Sequence, residues 1–291
     1  MRLAAKWRAS WTIHANGIDQ RRIESVRIGS EWVDVVRLGR GEPLVLVPGL
    51  AGSWKLLFPL AQMLAAYFDV ILPGLRGDGL PWGDLESHPH PVYGVGEYAS
   101  DLAFLIDHLG LECPAVLGVS FGGAIALEFA AEHPHRLGAL ILNGVEARFH
   151  RTIGSTIARH ALERFPLPSD NPFINQFFHL LYGAKPEPGP LVDFVVDRIW
   201  ETDQSVMAQR LAQLESFDVS DRLWNIDAPT MILAGARDAI VPVARQKVLA
   251  KEIADARFVT IEHAGHLAFL THRAEFVRDV RRHLRGVKAA V

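Results

Sequence analysis

The sequence predicts an α/β protein: a mostly parallel sheet of about eight strands flanked by helices, with a helical segment inserted into it. Three observations carry that prediction. Short apolar runs rich in Val, Ile and Leu recur without the polar alternation of a half-exposed sheet, so these strands are covered on both faces. Longer amphipathic stretches separate the runs, and a helical connector implies that the strands it joins are parallel. Between 146 and 223 the alternation lapses, and apolar residues recur at helical spacing instead, as in Phe173, Phe177, Leu180 and Leu181.

Taken in order, residues 23–38, IESVRIGSEWVDVVRL, alternate about Gly29 and Ser30 and fit an antiparallel hairpin. From Pro43 strand and helix take turns: PLVLVP, a helix over 54–66, FDVILP, a helix over 97–109, PAVLGV, a helix over 122–132, then LGALILN. The series resumes with PTMILAG at 229–235, a helix near 243–253, ARFVTI at 256–261 and a last helix over 273–284. The intervening segment holds the proline-rich break KPEPGP at 185–190 and no strand pattern. The expected division is therefore a core of 1–145 and 224–291, with 146–223 inserted as helices.

A chain of 291 residues that is 49% hydrophobic can bury a large core without covalent staples. Its single cysteine, Cys113, excludes an intrachain disulfide, fits a reducing compartment, and beside Pro114 reads as structural. A net charge of -3 with scattered Lys and Arg gives no basic face for nucleic acid. The opening MRLAAKWRASWTIHANGIDQRR is interrupted by Lys6, Arg8 and His14 and lacks the apolar stretch of a signal peptide. No uncharged apolar run is long enough to span a bilayer. The expectation is a cytoplasmic protein acting on a small molecule, with no membrane span, no cofactor and no metal; the oligomeric state is unread.

Chemistry concentrates at Gly118-Val119-Ser120-Phe121-Gly122, which ends a strand and opens a helix. A chain turning straight from strand to helix brings the positions two before and two after the apex into near contact. Neither then tolerates a β-carbon, and the apex is forced into a strained backbone region. A serine there becomes a nucleophile only with a base in reach and a group orienting that base. His266, in EHAGHLAF, and Asp238, in ILAGARDAIVP, each lie just beyond a strand, at the edge where open α/β sheets place their sites. His263 reads as a hydrogen-bonded loop residue, His133 and His135 as helix-closing residues, and Asp78 as a turn residue. His88 and His90, flanked by prolines, lack a further ligand for a metal. Glu146, just past LGALILN, is the rival acid. The expected oxyanion donors are the backbone N–H of Phe121, at a helix start, and of Leu50, between Gly49 and Gly52.

The ordered segments PGLAGSW, LPGLRGDG, GVSFG, LAGARDAIVP and AGHLAFL resemble the α/β-hydrolase superfamily, in its single-domain branch with a helical cap. The resemblance runs from about Glu24 to Leu284. It implies a triad of Ser120, Asp238 and His266, oxyanion donors at Leu50 and Phe121, residues 146–223 as a lid, and esterase-like acyl transfer to water. Pro48 departs from the family pattern, which commonly has histidine before the glycine, a departure that bears on the hydrogen bonding that braces this loop and on Leu50 as a donor. The same triad serves carbon–carbon bond hydrolases, acyltransferases and perhydrolases, and the fold also serves as a non-catalytic small-ligand receptor; these alternatives stay open. Trp54, Phe177 and Tyr182 are the expected substrate-binding aromatics and favour a hydrophobic substrate. Arg148 and Arg151, near the cap entrance, read as a solvated face.

Overall fold

The computed structural model describes residues 22–78, 92–164 and 179–290. The alternating hairpin forms β1 (Arg22–Ile28) and β2 (Glu31–Gly39), turning at Gly29, where φ is 60°. The apolar runs form β3 (Pro43–Val47), β4 (Asp69–Pro73), β5 (Ala115–Val119), β6 (Ala139–Asn143), β7 (Thr230–Gly235) and β8 (Ala256–Ile261). Among the described residues they make an eight-stranded sheet in the order β1-β2-β4-β3-β5-β6-β7-β8. Pairs β1/β2 and β2/β4 are antiparallel; the other pairs are parallel. One cross-strand row, Val47, Gly118, Leu142, Ile232 and Phe258, fixes the register of the five parallel strands from β3 to β8. Loops leaving that row emerge side by side at the C-terminal edge.

Helices cover both faces. On one lie α1 (Ser53–Leu64), α8 (Ala268–Thr271) and α9 (Arg273–Ala290), over a core that includes Leu57, Leu60, Leu72, Phe269 and Phe276. On the other lie α2 (Val95–His108), α3 (Phe121–Glu132) and α7 (Val243–Glu252), over Leu102, Ile125, Phe129 and Leu249. Because α3 is apolar all round, it is buried on nearly every side. Its buried acid, Glu128, is matched by the Arg222 guanidinium at 2.9 Å through both oxygens. Between β6 and β7 stand α4 (Ile153–Arg164), α5 (Pro190–Ile199) and α6 (Gln204–Leu214).

Differences from the sequence pattern are local. α2 starts two residues before the predicted 97, because Glu97 accepts the N–H of Gly94 and caps the helix there. The four residues of α8 are too few to show a helical period. Cys113 is exposed at φ 41°, its thiol donating to the His135 carbonyl at 3.4 Å.

The strand-to-helix turn is as crowded as its glycines imply. A β-carbon on Gly118 would lie 2.7 Å from Gly123 Cα, and one on Gly122 would lie 2.7 Å from the Val47 carbonyl carbon. Both obstacles are backbone, which cannot rotate aside. Gly122→Ala is therefore expected to destabilise the fold by about 3 kcal/mol, read as a lowered urea midpoint, whereas Gly96→Ala, with nothing near its β-carbon site, is expected to be tolerated.

Candidate active site

At the C-terminal edge, β5 delivers Ser120 into the turn at φ 53°, ψ −116°, a strained conformation for a residue with a β-carbon. Its N–H donates to the Asn143 carbonyl at 2.8 Å, which fastens the turn to the end of β6. The next residue, Gly144, is the floor for the imidazole of His266: a β-carbon there would lie 2.6 Å from His266 Cε1. Serine turn and histidine ring thus stand on either side of one strand end.

His266 and Asp238 are joined directly. Nδ1 of His266 lies 2.9 Å from Asp238 Oδ2, with both residues buried. The loops that carry them are zipped together by Ala236 N–H to Ile261 O at 3.0 Å and Arg237 N–H to Ala264 O at 2.8 Å. Asp238 Oδ1 accepts the N–H groups of Ile240 and Val241, each at 2.9 Å. Its Oδ2 also meets Gln246 Nε2 at 3.3 Å, so the buried carboxylate is surrounded by donors. Gln246 is fixed in turn by its bond to Val241 O at 2.7 Å and by the Gly144 N–H at 3.2 Å. The Ser120 hydroxyl donates to no acceptor among the described residues, His266 included.

The loop after β3 folds over the same turn. A β-carbon on Gly49 would lie 3.7 Å from Ser120 Cβ. Neither the Leu50 N–H nor the Phe121 N–H is taken by an acceptor among the described residues, and Phe121 opens α3. Bracing comes from an unexpected quarter: Thr202 Oγ1 accepts the Gly52 N–H at 3.0 Å, and Arg210 Nη1 donates to the Leu50 carbonyl at 3.0 Å. Arg210 also reaches Asp78 Oδ1 at 2.9 Å and is 1% exposed. Burial opposes its charge, but Asp78 and Tyr98 outweigh that and raise its pKa above the ordinary guanidinium value.

The remaining sequence-predicted residues fall out as follows. Trp54, at the start of α1, is half-buried and packs edge-to-face with Phe58 at 5.9 Å, near Gly74 of the loop after β4. Tyr182 is buried in the core cluster of the α1 face, and burial raises its phenol pKa. The backbone beside it packs on Gly265, and Leu181 O accepts the Leu267 N–H at 3.1 Å, so this stretch props the histidine loop. Phe177, like Phe173, His88 and His90, lies outside the described residues. Glu146 is not paired with His266: it accepts from His150 at 2.9 Å (Nδ1) and from Arg245 at 3.4 Å. His263 does sit in a turn, bonded to Arg237 at 2.9 Å, and Asp78 caps a turn by accepting the Leu75 N–H at 2.8 Å. Arg148 and Arg151 are exposed but paired, with Asp218 at 3.4 Å and Glu215 at 3.0 Å. Thr202, Arg210 and Gln246 were not singled out by sequence, since each reads as an ordinary helix or helix-end residue. Among the described residues no cluster of three or more His, Cys, Asp or Glu could hold a metal ion, and no helix is long and apolar enough to cross a membrane.

A parallel sheet entered through an antiparallel hairpin, whose central strand runs straight into a helix through one strained residue, defines an enzyme of the α/β-hydrolase class. The chain belongs to that family: the model of the alpha/beta hydrolase fold matches residues 42–273. It is 28% identical over 256 residues to a pimeloyl-[acyl-carrier protein] methyl ester esterase of Chromobacterium violaceum, covering 86% of this chain and 97% of that protein. It is 26% identical to a poly(3-hydroxyalkanoate) depolymerase of Ectopseudomonas oleovorans, covering 82% of each. In three dimensions it is similar to a malate-bound thermophilic esterase of Thermogutta terrifontis, with a TM-score of 0.75 and 27% identity over 92% of this chain and 99% of that one.

Proposed function

We propose that this hydrolase cleaves a carboxylic ester of a small hydrophobic substrate through an acyl-enzyme on Ser120. The observation that carries the reading is the buried His266–Asp238 pair at 2.9 Å, on the same sheet edge as a serine held at φ 53°. The esterases among its relatives support the ester as substrate class.

In the proposed cycle His266 takes the Ser120 proton as the hydroxyl turns about its Cα–Cβ bond toward Nε2, a bond that tightens only with substrate present. The oxygen attacks the ester carbonyl, and the negative charge that develops on the carbonyl oxygen meets the N–H groups of Leu50 and Phe121. His266 then protonates the departing alcohol and activates a water that releases the acid. Asp238 keeps the proton of neutral imidazole on Nδ1, leaving Nε2 free to accept. Residues 146–223 act as the cap over this edge, with the substrate's apolar part between cap and core near Trp54.

The test is a panel of p-nitrophenyl esters and carbamates differing in acyl length and charge, run with water, hydroxylamine and peroxide as competing acceptors. The expected result is a burst of p-nitrophenolate equal to the enzyme present, then turnover with the free acid as main product, fastest with uncharged acyl groups. Turnover of no substrate above the buffer rate would discard the reading. A product dominated by hydroxamate or peracid would move it to acyl transfer or perhydrolysis.

A further inference from the structure

We infer that Thr202, two residues before α6, and Arg210, within it, are positioning residues that set the Leu50 N–H for the developing oxyanion. The inference rests on the esterase reading above. Both side chains are fully or almost fully buried, and both bond to the loop after β3 rather than to α6.

Thr202 holds the Gly52 N–H at 3.0 Å, and Arg210 holds the Leu50 carbonyl at 3.0 Å. The N–H and C=O of Leu50 flank a single Cα. With the carbonyl direction fixed, Gly52 tethered, and Gly49 packed against the Ser120 side chain, the N–H direction of Leu50 has little freedom left. An oxyanion donor works only when its placement is held to a fraction of an ångström. Arg210 does more than touch this loop. Its Nη2 donates to Arg76 O and Asp78 Oδ1, both at 2.9 Å, so the same guanidinium ties in the loop after β4. Its Nε meets the Tyr98 hydroxyl at 3.4 Å, and the Tyr98 ring packs edge-on against Phe121 at 5.4 Å. The side chain of the residue bearing the second donor is therefore wedged by the same cluster. A buried guanidinium is tolerated only when its N–H groups are matched, so the seating of α6 and the matching of Arg210 depend on each other.

The experiment compares Thr202→Val, Thr202→Ser and Arg210→Met with the parent, using p-nitrophenyl acetate, whose acyl group is too small to reach far into a cap. The readouts are kcat, KM, the thermal midpoint, and the inhibition constant of a trifluoromethyl ketone, whose adduct on Ser120 carries an oxyanion. Thr202→Val and Arg210→Met are expected to lower kcat about 10- to 100-fold with KM changed no more than about twofold, and to weaken the ketone by the same factor. Thr202→Ser, which restores the acceptor, is expected to recover kcat to within about threefold of the parent. If Arg210→Met does not fold, Thr202→Val decides alone, because it nearly preserves volume. A folded Thr202→Val with parental kcat and ketone affinity, or a loss confined to KM, would overturn the inference. Those results with an active parent and an inert Ser120→Ala would leave the esterase reading standing; a parent no faster than Ser120→Ala would remove both.

Discussion

Ser120→Ala is expected to lower ester turnover by about 10⁴-fold or more, equivalent to about 5.5 kcal/mol of barrier, and to abolish labelling by a fluorophosphonate. The expected change in thermal midpoint is close to nil, and this pairing of effects makes the prediction specific. The Ser120 hydroxyl has no hydrogen-bond acceptor among the described residues, so its removal breaks no bond that supports the fold. Alanine also keeps the β-carbon, so the strain at φ 53° is unchanged. Ser120→Gly is expected to be as inactive as alanine yet more stable, by about 1 kcal/mol, because glycine adopts positive φ without the steric cost. Turnover in Ser120→Ala at the parental rate would place the nucleophile elsewhere. Equal stability of Ser120→Gly and Ser120→Ala would show that the turn stores no strain. Residual activity well above buffer is compatible with the reading, since oxyanion donors and substrate positioning act without the nucleophile.

Sequence made visible what is enforced locally or by burial on both sides. The runs that became β3 to β7 are almost entirely buried, so their centres are apolar on both faces and stood out against the amphipathic helices. Gly118 and Gly122 were legible because the clash they avoid lies within one turn of chain. Asp238 and His266 were legible because each follows a strand of a sheet whose strands are parallel. The bracing of the site was not, because it is made at long range. Thr202 and Arg210 meet Gly52 and Leu50 across 150 and 160 residues of sequence. Within QSVMAQRLAQL a lone arginine reads as a solvated charge, and only the fold shows it to be among the most buried side chains of the protein. Gln246 is hidden in the same way: nothing in VARQKVLAKE distinguishes it from any polar helix residue, yet it joins the Asp238 carboxylate to the Gly144 N–H. Tyr182 shows the converse. An aromatic at helical spacing invited a place in a pocket, and its ring is packed into the core instead.

Asp238→Asn is expected to lower kcat by about 10⁴-fold with the protein still folded, while Glu146→Gln changes kcat by no more than about twofold. The asymmetry follows from how each carboxylate is held. Asp238 Oδ1 takes two backbone N–H groups at 2.9 Å, so an asparagine keeps its carbonyl oxygen on that side and turns its amide NH₂ toward His266 and Gln246. The imidazole must then accept at Nδ1, which puts its proton on Nε2, the nitrogen that has to receive the proton from Ser120. The new NH₂ also confronts the Gln246 amide donor, which in the parent lies 3.3 Å from Oδ2. Leaving such donors facing each other in a buried site is expected to cost about 1–3 kcal/mol of stability. Flipping the asparagine to relieve this would orphan the Ile240 and Val241 N–H groups instead, so no rotamer restores both. Glu146 is also buried and follows β6 at this edge, but its oxygens are occupied by His150 and Arg245, and it ties the chain after β6 to α7. The two variants are best compared by kcat, KM and urea midpoint side by side. Loss of turnover in Glu146→Gln with Asp238→Asn active would reassign the acid, because a carboxylate can fix the tautomer only of the imidazole it touches.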